Sequence, residues 1–161
     1  MILRYLLISS VIIGLTSCSD GPEVNDEDII LRDKKFYLKT STVPFTGVGV
    51  MYSKNFPNIG NKEGEFRYKD GVAHGSSYSY YPSGNKEKEI KWDNGLRLWT
   101  KMWYATGERR HYMKYTGDNT DTGLMEVWWP NGNRKEITSI RNGQLVPGSQ
   151  TRWYESGDEI K

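Results

Sequence analysis

The chain has 161 residues, of which 36% are hydrophobic, 26% charged and 13% aromatic, and 17 are glycine. This length allows one domain or a short array of repeats, and it excludes a two-domain enzyme with a large enclosed pocket. Aromatic residues and glycine turns favour short strands over helices. The 22 basic and 20 acidic residues leave a formal charge of +2, which is too balanced for a nucleic-acid surface. We therefore expect an all-β protein that binds no nucleic acid.

Residues 1–17 have the pattern of an export signal. A basic residue precedes an apolar run at residues 5–16, which is too short to span a bilayer. Residues 15–18 (LTSC) resemble the lipobox of bacterial lipoproteins, and Cys18 is the only cysteine. We expect a lipoprotein signal peptide, lipidation of Cys18 and a mature chain tethered to a membrane of the bacterial cell envelope. Ser19 in the next position favours the outer membrane, and the side that the protein faces stays open.

Residues 18–35 are rich in aspartate and glutamate and poor in large apolar side chains. Such a composition is typical of a solvated linker. We therefore predict an acidic tether between the lipid anchor and the folded part of the chain.

One phrase recurs along the rest of the chain: two adjacent aromatic residues, two further residues, then glycine. The copies are Tyr80-Tyr81-Pro82-Ser83-Gly84, Trp103-Tyr104-Ala105-Thr106-Gly107, Trp128-Trp129-Pro130-Asn131-Gly132 and Trp153-Tyr154-Glu155-Ser156-Gly157, with glycines 23, 25 and 25 residues apart. A degenerate earlier copy ends at Gly60, and a second set of turn glycines lies between the copies at Gly71, Gly95, Gly117 and Gly143. Two turns per repeat leave two strand-length segments, so residues 36–161 should form about five β-hairpins in one elongated antiparallel sheet.

Strand side chains alternate between the faces of a sheet, so the two aromatic residues of each pair must point to opposite faces. The second aromatic of each pair shares its parity with apolar neighbours, which predicts an inward position. The first-aromatic column shares its parity with charged and polar residues and should be half exposed. This column is our candidate binding surface, and it consists of Tyr80, Trp103, Trp128 and Trp153. The alternative is that these rings only cover neighbouring strands of a thin sheet.

The glycine and aromatic-pair pattern resembles the variant MORN repeat, most closely at residues 68–75 and 80–86. The resemblance covers the chain from about Phe45 to its end, although Trp99 replaces a repeat glycine and residues 118–121 form an insert. It implies tandem β-hairpins. Bacterial proteins with this repeat resemble the YwqK-family antitoxin group, which implies a protein partner.

No catalytic or metal-binding constellation is evident. His74 and His111 are the only histidines and have no cysteine or acidic ligands at metal-binding spacing. Glu87 and Glu89 share a strand face, but the surrounding lysines favour ion pairing on the sheet surface. We therefore expect no enzyme activity, no metal and no cofactor.

Stacked repeats present extended surfaces that usually bind a partner. We accordingly expect a non-enzymatic protein-interaction module, antitoxin-like or immunity-like in character. Two alternatives stay open: binding of glycans or cell wall through the aromatic columns, and peripheral binding of membrane lipids. The identity of the partner, the wet face of the sheet and the role of its last strand edge also stay open.

Overall fold

The computed structural model of the chain describes residues 21–55, 57–117 and 121–161. The predicted signal peptide and Cys18 lie outside these residues. The described residues contain fifteen strands and one 3-10 turn at Asp26–Asp28. None of their helices is long and apolar enough to cross a membrane.

The strands are short and follow each other closely. They are β1 (Glu23–Asn25), β2 (Ile29–Arg32), β3 (Lys35–Leu38), β4 (Gly47–Tyr52), β5 (Lys62–Lys69), β6 (Val72–Ala73), β7 (Gly75–Tyr80), β8 (Lys86–Asp93), β9 (Leu96–Trp103), β10 (Arg109–Tyr115), β11 (Gly123–Trp128), β12 (Arg134–Arg141), β13 (Gln144–Leu145), β14 (Thr151–Trp153) and β15 (Glu159–Ile160).

Thirteen strands form one open sheet in which neighbours in sequence are neighbours in space. Its order is β1-β4-β5-β7-β8-β9-β10-β11-β12-β14-β15, with β6 on β5 and β13 on β12. All pairs are antiparallel except β1 with β4, which is parallel. The predicted all-β fold, a long sheet built of hairpin pairs, is confirmed.

Two kinds of turn connect the strands, and both need glycine. After each aromatic pair, the glycine amide donates to the carbonyl of the second aromatic, as in the 2.8 Å bond from Gly84 to Tyr81. Gly84 has a φ of 85°, which closes a three-residue loop in the left-handed region that favours glycine. At the opposite end of the hairpins, two-residue turns such as Asn94-Gly95 have positive φ at both positions, as mirror-image hairpin turns require. All nine predicted turn glycines have positive φ.

The acidic segment after residue 20 is more ordered than a solvated tether. Strand β1 pairs in parallel with β4, and β2 and β3 form a separate hairpin. Phe36 of this hairpin packs 4.7 Å from the ring of Tyr68 in the main sheet. The apolar residues of this segment therefore fold onto the first strands of the array, although its composition is acidic.

The core is thin and runs across the sheet as a row of directly opposed residues. Pairing places Ile90, Thr100, Met113, Met125 and Thr138 opposite one another in successive strands, and side chains so opposed share one face. Met113 is 4% exposed and Thr138 is fully buried. The neighbouring positions in sequence point to the other face, where the candidate surface lies.

Candidate binding surface

In the first three aromatic pairs, the first aromatic lies directly opposite a basic residue in its own hairpin. The opposed pairs are Tyr80 with Lys86, Trp103 with Arg109, and Trp128 with Arg134. In these three repeats the basic residue follows the turn glycine by two positions. Hairpin register therefore places one ring and one cation side by side at the same end of each of these repeats.

Each of these cations also contacts the ring of the following repeat. Lys86 lies 5.3 Å from the Trp103 ring, Arg109 lies 4.9 Å from the Trp128 ring, and Arg134 lies 5.6 Å from the Trp153 ring. These distances are within the range of cation–π attraction. Rings and cations thus alternate from strand to strand across the sheet.

We call this arrangement the aromatic–basic row. Its members, in spatial order, are Tyr52, Lys62, Tyr80, Lys86, Trp103, Arg109, Trp128, Arg134 and Trp153. The position after Trp153 is Glu159, which lies opposite it and reverses the charge.

The rings of the row differ in exposure. Tyr80, Trp103 and Trp153 are half-buried, as predicted for this column, but Trp128 is only 9% exposed. The expectation of a half-exposed ring is therefore wrong for Trp128. This ring lies in the middle of the array, where Arg109 of one neighbouring strand and Arg134 of the other flank it.

The second aromatic of each pair bridges to the next repeat. The hydroxyls of Tyr81 and Tyr104 donate 2.8 Å hydrogen bonds to the carbonyl oxygens of Trp103 and Trp128, respectively. The Trp129 indole donates in the same way to the Trp153 carbonyl, at 3.1 Å. These three interactions, which we call rungs, fix the backbone directly beneath three rings of the row. Tyr154 has no such acceptor among the described residues and is 57% exposed.

Asparagine side chains at the turns add a second set of repeat-to-repeat bonds. Asn85 donates to the Ala105 carbonyl at 2.8 Å, and Asn131 and Asn133 both donate to the Glu155 carbonyl, at 2.8 and 2.9 Å. The turns that border the row are therefore tied to one another. This fixes the spacing between equivalent sites.

Carboxylates lie beside the cations of the row. Lys62 pairs with Glu65 at 3.6 Å, Lys86 with Glu89 at 3.2 Å, and Arg134 with Glu126 at 3.3 Å. All three carboxylates are mostly shielded from solvent. The row consequently has a mixed polar character rather than a uniform positive charge.

Glu65 also accepts a 2.7 Å hydrogen bond from the Tyr80 hydroxyl. Burial and this bond to a carboxylate raise the pKa of Tyr80 well above its ordinary value. Burial alone would raise the pKa of Glu65, but the hydrogen bond from Tyr80 and the charges of Lys62 and Arg67 lower it overall. Glu65 is therefore a carboxylate, and Tyr80 a neutral donor, at neutral pH.

Two open clefts border the row at equivalent positions one repeat apart. One has a volume of about 490 Å³ and is lined by Asn61, Lys62, Tyr80 and the turn to Gly84. The other has a volume of about 360 Å³ and is lined by Asn85, Lys86, Trp103, Thr106 and Gly107. Each cleft presents an aromatic ring, a cation, an amide and a hydroxyl. This chemistry suits noncovalent binding of a polar ligand.

The remaining residues considered as sites lie away from the row or take part in local pairing. His74 Nδ1 lies 3.5 Å from Asp93 Oδ1 at the opposite ends of the hairpins. Glu87 accepts from Ser79 Oγ at 3.2 Å, and Glu89 pairs with Lys86 as above. Within the described residues no group of three potential metal ligands comes together.

His111 is on the core face, directly opposite Met102 and Val127. Its Nδ1 atom is buried and has no hydrogen-bond partner among the described residues. Burial, aided by the charge of Arg110, lowers the pKa of His111. The neutral imidazole is therefore the form that fits the folded sheet.

Sequence analysis missed half of the row. The sequence patterns identified four of the five rings and assigned the lysines around Glu87 and Glu89, among them Lys86, to ion pairing. They did not single out Lys62, Arg109 or Arg134. The available signal was a basic residue two positions after Gly60, Gly84, Gly107 and Gly132. It also missed Tyr52, because Ser53 stands where the second aromatic belongs; Ser53 nevertheless makes the equivalent turn bonds with Gly60 and Asn61.

Comparisons were made with protein-family models, with curated proteins and with solved structures, and none of the three gave a match to this chain.

Proposed function

We propose that the chain is a non-enzymatic interaction module and that the aromatic–basic row is its binding surface. The observation that carries this proposal is the repetition of one ring-and-cation arrangement across successive hairpins. Tryptophan, tyrosine and arginine are the residues that contribute most to binding interfaces. A sheet that repeats them along one line offers a ligand several equivalent contacts at once.

We further propose that this module belongs with the variant MORN repeats and sits in the bacterial cell envelope, anchored through Cys18. The pairs of hairpins support the first point, and the lipobox-like sequence at residues 15–18 supports the second. Incorporation of a labelled fatty acid by the wild-type chain, and its loss in Cys18→Ala with release from the membrane fraction, tests the anchor. An unlabelled wild-type chain contradicts it.

The sequence-based expectation of a protein partner, antitoxin-like or immunity-like in character, is one form of this proposal. A lipid-anchored module outside the cytoplasm fits protection against a toxin that arrives from another cell. Peripheral lipid binding has less support, since Glu65, Glu89 and Glu126 offset the cations that would attract anionic lipids.

Crosslinking in intact cells tests the role of the row. The native lipidated protein is compared with a Tyr80→Ala, Trp103→Ala double variant, in which both altered rings are half-buried and the buried Trp128 is kept. Both envelope proteins and glycan fragments are analysed in the crosslinked material. We expect one ligand class to be enriched with the native protein and lost with the double variant.

Trp99→Ala is the matched control. Trp99 lies in the same strand as Trp103, is also half-buried and is also covered by a cation, Lys101 at 4.3 Å, but it lies outside the row. A folded double variant that retains every crosslink of the native protein overturns the proposal. The proposal is also overturned if Trp99→Ala loses the crosslink while the double variant retains it.

A further inference from the structure

We infer that the aromatic–basic row binds a linear β-1,4-linked glycan strand, with one disaccharide unit for each hairpin. This inference rests on the proposed function, because it names the ligand class of the same surface.

The distance between successive hairpins matches the repeat of such a glycan. Neighbouring strands of a sheet lie about 4.8 Å apart, so equivalent positions in successive hairpins lie about 10 Å apart. This distance is close to the length of one disaccharide in an extended β-1,4-linked strand, in which alternate sugars face the same way. The rungs from Tyr81 and Tyr104 hold this spacing at the backbone of the row itself.

The side chains at the clefts can contact both the apolar and the polar parts of a sugar. Trp103 is half-buried and lines one cleft, so its ring can contact the nonpolar side of a sugar, and Lys86 beside it can donate to a sugar hydroxyl. Glu89, 3.2 Å from Lys86, can accept from a neighbouring hydroxyl. Sugar rings present an apolar face and hydroxyls that both donate and accept, so an aromatic ring beside a paired cation and carboxylate matches them.

The shape of the row favours a glycan over a folded protein as its ligand. Protein hot spots are aromatic anchors that insert into pockets of the partner. In the row the rings are held between cations of neighbouring strands, and the surface between them forms clefts. A narrow polymer with its own repeat of about 10 Å can fill successive clefts identically, whereas a globular protein without internal repeats cannot.

The carboxylates beside the row disfavour a simple polyanion as its ligand. Three cations of the row each have a carboxylate within 3.6 Å. A ligand held by charge alone would be repelled by Glu65, Glu89 and Glu126. The hydroxyl groups of a sugar are uncharged, so the carboxylates do not repel them.

Isothermal titration calorimetry on the full chain tests this inference, with β-1,4-linked N-acetylglucosamine and glucose oligosaccharides of two, four and six sugars as probes. Each added disaccharide reaches one more ring of the row, so affinity should rise in steps of about tenfold per added pair of sugars. An α-1,4-linked glucose hexasaccharide, which is curved, should show no such steps. Trp103→Ala should lower hexasaccharide affinity at least about tenfold, because it removes the aromatic ring that lines the second cleft.

Trp99→Ala should leave the affinity unchanged. Should Trp103→Ala fail to fold, Lys86→Gln provides the same test, since it removes the cation next to Trp103 and keeps every ring. No binding of either β-1,4-linked hexasaccharide overturns the inference. If a protein partner is nevertheless crosslinked through the row, the glycan inference fails and the proposed function stands; if neither ligand class depends on the row, both fail.

Discussion

The Tyr104 hydroxyl donates a 2.8 Å hydrogen bond to the carbonyl oxygen of Trp128, one repeat further along the chain. Tyr81 and Trp129 make equivalent bonds, which explains why a second aromatic residue follows the first in these three repeats. The first keeps its ring in the aromatic–basic row, while the second points the other way and fixes the backbone of the next ring. The pair thus joins the surface to the element that spaces it.

Removal of one rung should lower stability by the amount of one hydrogen bond. Tyr104→Phe leaves the ring in place and deletes the donor, so we expect the free energy of unfolding to fall by about 1 kcal/mol. Urea denaturation followed by circular dichroism measures it. Tyr154→Phe is the control, because its hydroxyl has no rung acceptor among the described residues. Equal losses in the two variants would contradict the role of the rung.

The cations of the row should stabilise the rings that they cover. Arg109→Ala removes the guanidinium 4.9 Å from the Trp128 ring, so we expect a loss of about 0.5–1 kcal/mol and greater access of acrylamide to tryptophan. Arg141→Ala, at an exposed strand end away from the row, should change neither quantity. Unchanged quenching in Arg109→Ala would show that the guanidinium does not cover the ring.

Deletion of one complete repeat should leave a folded protein. Without residues 85–107, Gly84 joins Glu108, Tyr81 reaches the Trp128 carbonyl instead of that of Trp103, and Arg109 takes the place of Lys86. Repeat arrays depend on contacts between neighbours, so we expect cooperative unfolding at somewhat lower stability. Deletion of residues 85–95 removes half a repeat and should not fold, because it turns strand β9 over and breaks the row. Similar behaviour of the two deletions would rule out rungs as the basis of the repeat.

Stability should decrease in mild acid because of His111. Its pKa in the folded state is lowered from 6.5, so the unfolded chain binds a proton that the folded chain rejects. The free energy of unfolding is therefore unaffected by this group above pH 6.5, falls as the pH drops below that value, and stops falling below the folded-state pKa. Denaturation curves at several pH values for the wild type and His111→Gln should differ in this window. Parallel pH profiles would contradict the assignment.

The sequence predicted the hairpins because glycine positions and aromatic pairs report directly on local geometry. Gly84 and Gly95 mark the two turn types, and their offset sets the strand lengths. The cations were missed because Arg109 and Trp128 become neighbours only through the pairing of two different hairpins. In the sequence of its own strand, Arg109 looks like an ordinary charged residue.

The burial of Trp128 and the folding of the acidic segment were missed for a related reason. The alternation of side chains along one strand assigns each residue to a face of the sheet. The strands on either side determine how much of an aromatic ring solvent can reach. Likewise, residues 23–25 have a polar sequence, and only the backbone edge of β4 makes them a strand. Both features come from contacts that local patterns do not contain.

The central claim is that ligands bind along the aromatic–basic row, and the six tryptophans provide internal probes for it. An NMR spectrum of ¹⁵N-labelled full-length protein shows one indole N–H signal for each tryptophan, and we would titrate it with a β-1,4-linked N-acetylglucosamine hexasaccharide. The account predicts shifts of the Trp103, Trp128 and Trp153 signals, with those of Trp92 and Trp99 unchanged. Shifts confined to Trp92 and Trp99, or six unchanged signals at saturating oligosaccharide, would contradict it.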